Sequence, residues 1–425
     1  MIERAARAGL NHVFDRIGGG RLEVVEAGRA RVFGEPEAEL QATVRVNNAR
    51  AWLALLHGSV GVGRSYSDGW WDCDDLVSLF RIGARNMPRL DVWRRRIHPV
   101  TGRAQRLAGR IPRNTRAGAR SNVAAHYDLG NDLFELYLDP RMQYSCAYFP
   151  YPGATLEQAQ LAKLERLCEG LQLRPDDHLL EIGTGWGGLA IHAAAEHGCR
   201  VTTTTLSAQQ RDYALGRIAE AGLEDRVEVL LSDYRDLRGS YDKLVSVEMI
   251  EAVGWQYFDT FFACCSRLLA PDGLMLLQAI VIDDRAYELE KVAKSFANTL
   301  IFPGGCLPSR AKIAECIGRV TDMRQLWMED ITAHYAETLA AWEQRFRANE
   351  DRIGERGYDE RFRRLWRLYF QISEAGFRER RLGDVQLLLA KPAYRRDDLP
   401  AAERRVRQAA LTTGGGRSAS GTVSR

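Results

Sequence analysis

The stretch that most constrains the fold is His178–Leu189, HLLEIGTGWGGL, a short apolar run that ends in an acidic residue and passes directly into a glycine-rich turn. Strand, tight turn and helix in that order form the opening unit of a doubly wound α/β sheet. Gly183, Gly185 and Gly187 remove side chains where the backbone must approach a bound ligand, and Glu181 sits on the strand just before the turn. The turn lacks the G-K-[ST] of a phosphate-cradling loop, and its G-x-G-x-G spacing is tighter than the dinucleotide G-x-G-x-x-G. A ligand other than a phosphate is expected there.

The chain beyond His126 alternates strand and helix signals in support of that architecture. Strands are predicted at His178–Ile182, Arg200–Thr205, Val227–Leu231, Lys243–Glu248, Gly273–Ile282, Thr321–Trp327 and Asp384–Ala390. Seven strands suit a doubly wound sheet whose ligand lies outside the carboxyl ends of the strands, near the glycine turn. A long insert, His334 to Arg381, separates the last two. Its apolar residues recur at helical spacing (Leu339, Trp342, Phe346; Phe362, Leu365, Tyr369, Ile372). Packing against the main domain is expected, in a place where the insert can also roof a long apolar pocket.

With 425 residues the chain exceeds one average domain. The expected division is an amino-terminal accessory domain at 1–92, a basic linker at 93–120, the α/β domain at 121–395 and a disordered tail at 396–425. The accessory domain carries short strands at Arg21–Val25 and Ala42–Val46 and the pair Trp70 and Trp71, read as core residues rather than lipid anchors. The linker holds Arg94, Arg95, Arg96, Arg103, Arg106, Arg110, Arg113, Arg116 and Arg120 and no acidic side chain. It is either a solvated connector or a contact with anionic phospholipid, worth ~1 kcal/mol per basic residue near a membrane surface. Nothing beside it resembles a base-reading or base-stacking module, so nucleic acid is not expected. No run reaches the ~18–20 apolar residues of a membrane span, and MIERAARAGL is not a signal peptide. A cytoplasmic protein in peripheral contact with the inner membrane face is expected. The eight cysteines include no C-x-x-C pair, so they read as reduced thiols and no metal is expected.

HYDLGNDLF (His126–Phe134), YSCAYF (Tyr144–Phe149), LEIGTGWGG (Leu180–Gly188), TLSAQQ (Thr205–Gln210), DYRDL (Asp233–Leu237), IFPGGCLPS (Ile301–Ser309) and HYAETL (His334–Leu339) occur in this order. Together they resemble the cyclopropane-fatty-acyl-phospholipid synthases and mycolic acid cyclopropane synthases. GRSYSDGWWDCDDL is similar to the amino-terminal domain of the longer phospholipid-acting members. The resemblance implies a class I, Rossmann-like methyltransferase fold with helical lid insertions. It also implies S-adenosylmethionine as cofactor and the double bond of an unsaturated phospholipid acyl chain as substrate. By similarity, Tyr144, Ser145, Gly183 and Gly185 contact the methionine end of the cofactor, with Glu181 close by. Thr205, Leu206 and Gln210 hold the ribose region, and Asp233, Tyr234 and Arg235 lie along the adenine. The sequence SVEMIEAVG stands where amino-methylating nucleic-acid enzymes carry [DN]-PP-[YF], which disfavours a nucleobase substrate.

Methyl transfer to an alkene leaves a positive charge on an acyl carbon, so the site must be dry and rich in aromatic faces and negative charge. A base must then take a proton from the new methyl to close the ring. The resemblance implies a bound bicarbonate in that role, held by Glu251, Gln278, Tyr335 and the backbone at Cys146, with His126 nearby. Two positions depart from the family pattern. LLQAI places Gln278 where LLHTI has histidine, and EAVG places Ala252 where EHVG has histidine. An amide cannot carry a proton at neutral pH as imidazole can. EMIEAVG with QAI resembles the branch that makes 10-methylene fatty acids, precursors of 10-methyl chains, where hydride migration precedes proton loss and a separate reductase saturates the product. Thr299–Leu300 also replaces the Lys–Tyr frequent before IFPGG in the phospholipid enzymes. Cys146 has no sign of a partnered histidine and is not expected to be a nucleophile. The alternatives to a cyclopropane product are therefore a methylene product, an amine methyltransferase using Glu251, and a non-catalytic binding protein. A homodimer is compatible with all of them.

Overall fold

The computed structural model describes residues 2–108, 114–116, 118 and 129–395. His126, Arg110, Arg113 and Arg120 and the tail expected at 396–425 lie outside the described residues.

Two sheets organise the chain. The first is small and four-stranded, ordered β2-β1-β3-β4, from β1 (Arg21–Glu26), β2 (Arg29–Gly34), β3 (Gln41–Val46) and β4 (Trp71–Cys73). β1 and β2 form an antiparallel hairpin over Ala27–Gly28, where both residues adopt positive φ (49° and 75°). β3 returns parallel to β1. The apolar face of this sheet buries Leu22, Val24 and Phe33 against Ala6 of the first helix (Ile2–Phe14) and Trp52.

The second sheet is β5 (His178–Ile182), β6 (Arg200–Thr205), β7 (Val227–Leu231), β8 (Tyr241–Val247), β9 (Leu269–Ile282), β10 (Arg324–Asp330) and β11 (Leu382–Ala390). Its order is β10-β11-β9-β8-β5-β6-β7. β5 to β9 pair in parallel, and β11 alone is reversed, pairing antiparallel with both β9 and β10. This is the seven-stranded, doubly wound, class I methyltransferase sheet that the resemblance implies. The order reverses at β5, so the carboxyl ends of β5 and β8 open a crevice. The centre of the sheet is buried, with residues 179–182 of β5, 244–246 of β8 and 273–279 of β9 enclosed, as expected for a parallel sheet covered on both faces.

Two features differ from the sequence reading. The helix Leu76–Ala108 runs through the expected boundary at residue 93, so the first part of the basic segment is helical. The first turns of that helix are held by tertiary contacts. Leu76 and Ile82 are buried, and Arg81 and Arg85 both pair with Glu379. Of the linker arginines, Arg94 pairs with Asp91 and Glu290, and Arg116 pairs with Asp236. Both are paired with protein carboxylates, Arg116 while remaining largely exposed.

The insert forms three helices, Thr332–Ala348, Glu350–Glu355 and Glu360–Arg378. Trp342, Phe346, Trp366 and Phe370 are its buried stripe. The last helix also clamps the small sheet to the large one. Arg364 donates to the carbonyls of Tyr66 and Trp71 at 2.8 and 2.9 Å and to Asp72 at 2.7 Å, with its guanidinium 4.2 Å from the Tyr66 ring centroid. Trp71 is buried and donates to Ser65 Oγ at 3.0 Å, while Trp70 is half-buried, so both pack inside as expected.

Candidate active site

The glycine turn follows β5 directly. Gly183, Gly185 and Gly187 have φ of 109°, 52° and 85°, a region that side chains disfavour. A Cβ at Gly185 meets no atom within 4 Å, so the loop faces open space, whereas one at Gly183 lies 3.3 Å from Met249. The turn thus borders the segment after β8. An open, glycine-lined crevice at the carboxyl ends of β5 and β6 fits S-adenosylmethionine.

The residues expected around the cofactor are largely fixed by one another. Thr205 Oγ1 donates to Gln210 Oε1 at 3.0 Å and accepts from Ser207 N at 3.1 Å, which locks the turn through the half-buried Leu206. Asp233 forms a two-pronged ion pair with Arg235 (2.8 and 2.6 Å), which holds its carboxyl below the usual range despite burial. Tyr234 is buried beside them, its phenol pushed above the usual range by burial. Glu181 is buried and accepts from Thr203 Oγ1 at 2.6 Å; burial raises its carboxyl to about 8. Ser145 Oγ accepts from Lys163 Nζ at 3.0 Å, and burial lowers that fully enclosed ammonium to about 8. Tyr144 donates to the Tyr369 hydroxyl at 3.1 Å, joining the insert to the site.

At the end of β8 the chain turns through Glu248, a non-glycine residue at φ 49°. Backbone strain of this kind persists only where surrounding contacts over-determine it. Here three donors fix the carboxylate. Oε1 accepts from Cys146 N at 2.8 Å and Gln278 Nε2 at 2.9 Å, and Oε2 accepts from the Tyr335 hydroxyl at 2.6 Å. Gln278 also donates to Asp384 Oδ2 at 3.1 Å and accepts from Gln386 Nε2 at 3.1 Å. Asp384 is fully buried, its Oδ1 meets no donor, and burial with the neighbouring Glu248 raises its carboxyl well above the usual range. Burial raises Glu248 as well, but its three donors favour its charged form more than the single Gln278 donor favours that of Asp384, which places the proton on Asp384.

Glu251, one short 3₁₀ turn later, accepts from Ile280 N at 2.5 Å, while its Oε2 is buried without a partner. Burial and the Glu248 charge raise it to about 8. The Cys146 thiol is wholly buried, donates to Ala147 O and is pushed up by burial, so it is no thiolate nucleophile. Cys146 reaches the site through its backbone N–H.

The structure thus gathers Cys146, Gln278, Tyr335 and Glu251 as expected from the resemblance, but around a carboxylate that the sequence reading passed over. The Cys146, Gln278 and Tyr335 donors assigned to bicarbonate are occupied by Glu248, whose carboxylate stands where the anion would, so the site does not fit a bound bicarbonate. Two signals could have revealed this. Glu248 is an acidic residue at a strand's carboxyl end beside the crevice, and Asp384 interrupts the apolar strand LGDVQLLLA. Apart from this centre, Cys168, His192 and His197 place possible ligand atoms within 4.8 Å of one another. Glu165 lies 3.1 Å from His192 Nε2 and 3.5 Å from His197 Nε2, and burial raises the Cys168 thiol well above its usual range.

Glu248 and Glu251 lie at one end of an apolar cavity of about 780 Å³. Tyr144, Phe302, Tyr335, Tyr369 and Phe377 line it on the carboxylate side, and Val24, Val44, Val46 and Trp71 of the small sheet line it with Trp52 of the helix Ala51–Leu55. Val13 and Leu90 also line it while remaining 47% and 43% exposed, so it opens to solvent between the first helix and Leu76–Ala108. No helix of the described residues is long and apolar enough to cross a membrane.

The family model described as mycolic acid cyclopropane synthetase matches residues 114–387. Tuberculostearic acid methyltransferase UfaA1 of Mycobacterium tuberculosis is 40% identical over 346 residues, covering 79% of each chain. Cyclopropane-fatty-acyl-phospholipid synthase of Escherichia coli is 40% identical over 357 residues, covering 81% of this chain and 86% of that one. Among solved structures, mycolic acid cyclopropane synthase CmaA1 complexed with SAH and CTAB superposes with a TM-score of 0.60 at 31% identity, covering 64% of this chain and 98% of that one.

Proposed function

The chain belongs to the mycolic acid cyclopropane synthetase family of S-adenosylmethionine-dependent, lipid-modifying methyltransferases, and from that premise we propose that it methylates the cis double bond of an unsaturated phospholipid acyl chain to give a cyclopropane chain. The observation that carries this reading is the cavity: apolar along its length, open at the small sheet, and closed by paired carboxylates beside the glycine turn.

Bound S-adenosylmethionine supplies an electrophilic methyl group. The protein's own residues supply the rest. Aliphatic side chains of the small sheet take up the acyl chain by burying its methylenes, about 0.8 kcal/mol each. Tyr144, Phe302, Tyr335 and Tyr369 surround the double bond with ring faces that favour a cation by about 0.5–2 kcal/mol each and exclude water. The Glu248 charge lies within the same wall. A substrate drawn from a membrane surface would enter past Val13 and Leu90, which supports peripheral contact with a bilayer.

A second reading concerns the product. Gln278 in place of an imidazole supports the 10-methylene outcome, in which a hydride shift precedes proton loss and a separate reductase would follow. The test is incubation with S-adenosylmethionine and vesicles of cis-monounsaturated, trans-monounsaturated or saturated phospholipid, followed by proton NMR of the recovered chains. Upfield ring protons with the cis lipid establish the cyclopropane product, and vinylidene protons establish the methylene. Turnover of small amines but no unsaturated lipid would overturn the reading.

A further inference from the structure

We propose that the Glu248 carboxylate is the reaction's built-in proton acceptor, seated on the donors that a bound anion would otherwise take, so that turnover requires no bicarbonate. The inference rests on the alkene-methylating reading of the site.

Three independent observations meet at this side chain. Glu248 lines the apolar cavity beside the aromatic rings, so it faces any cation formed there. Its carboxylate is fixed by Cys146 N, Gln278 Nε2 and the Tyr335 hydroxyl. Tyr335 is itself stacked on Phe377 with centroids 4.3 Å apart. The backbone holds it in a left-handed conformation, with Glu248 N donating to Gln278 O at 2.9 Å. A carboxylate merely filling space would not need that conformation.

The step balances without a further reactant. The alkene π pair forms the bond to the incoming methyl carbon as the S–C pair stays on sulfur, leaving a cation on the adjacent acyl carbon. One C–H bond of the new methyl then breaks. Its electron pair closes the ring, or forms the exocyclic double bond after a hydride shift, and its proton passes to Glu248. Oε2, with one donor against two on Oε1, has the lone pair for it. Gln278, bridging Glu248 and Asp384, then acts as a positioning residue that keeps the two carboxyl groups in register.

The test combines anion binding with turnover. In ¹³C-bicarbonate titrations followed by NMR, the wild-type protein shows no saturable binding, whereas Glu248→Gly, which also relieves the positive φ, gains a site. In carbon-dioxide-free buffer the wild-type rate stays within twofold of that with added bicarbonate. Glu248→Gln loses about 10²–10⁴-fold while keeping its melting temperature and S-adenosylhomocysteine affinity. Added bicarbonate restores Glu248→Gly at least tenfold. Saturable bicarbonate binding by the wild type, a wild-type rate that collapses without bicarbonate, or a Glu248→Gln enzyme of normal rate would each overturn the proposal. A wild type inactive on every unsaturated lipid would instead overturn the reading it rests on, and the binding comparison would still decide whether Glu248 fills the anion site.

Discussion

Gly185→Ala separates backbone strain from ligand contact. Gly185 has φ 52° and an added Cβ meets no protein atom within 4 Å, so the methyl itself clashes with nothing in the fold. The cost to stability is then only that of a left-handed alanine, about 1–2 kcal/mol, a fall in melting temperature of about 2–4 °C for a domain of this size. The added methyl nevertheless projects into the space assigned to the cofactor. S-adenosylhomocysteine affinity should fall at least tenfold, about 1.4 kcal/mol. Gly69→Ala is the matched control, because Gly69 has φ 72°, equally open surroundings and a place in the small-sheet region away from the crevice. It should show the same loss of stability with unchanged affinity. Calorimetric titration with S-adenosylhomocysteine and thermal melts read both quantities. Wild-type affinity in Gly185→Ala would refute the placement of the cofactor against this turn.

Three further outcomes are expected. Glu251 is held near 8 when folded, against about 4.5 for an ordinary glutamate, so the folded chain binds its proton more tightly than the unfolded chain does. Its contribution is greatest below pH 4.5 and is lost as pH rises to about 8, at up to about 1.4 kcal/mol per pH unit; the melting-temperature advantage of Glu251→Gln should therefore widen between pH 5 and pH 8, and a constant gap would count against a neutral Glu251. Arg364→Lys keeps the charge but loses the fork that reaches Tyr66 O, Trp71 O and Asp72 together. It should cost about 2–3 kcal/mol in denaturant melts. Val46→Trp narrows the cavity at the small sheet, so rates on phospholipids with long acyl chains should fall at least tenfold relative to shorter ones, with S-adenosylhomocysteine affinity unchanged.

Much of the sheet was legible because hydrophobic runs bounded by turns are a local signal. Every predicted strand of the large sheet overlaps an observed one, from His178–Ile182 to Leu382–Ala390. The helix at Leu76–Ala108 was not, because the ion pairs of Arg81 and Arg85 with Glu379 that hold it span nearly three hundred residues of chain. β2 and β4 were missed for related reasons: RARVFG is mostly exposed and WDC is too short to show alternation. At the site, motif order located Cys146, Gln278, Tyr335 and Glu251. Motif order cannot convey which of two glutamates three residues apart receives the donors. That depends on a left-handed turn at Glu248, and no residue preference marks it. Asp384 was read only as part of a strand, since its partners Gln278 and Thr332 come from β9 and the insert.

The most direct test of the account uses S-adenosylmethionine carrying a trideuterated methyl group, with cis-monounsaturated phospholipid vesicles and mass analysis of the recovered acyl chains. Chains that gain one carbon bearing two of the three deuteriums are expected, because the deuteron lost comes from the transferred methyl in both the ring and the methylene outcomes. Chains retaining all three deuteriums, or chains without label while S-adenosylhomocysteine accumulates, would contradict it.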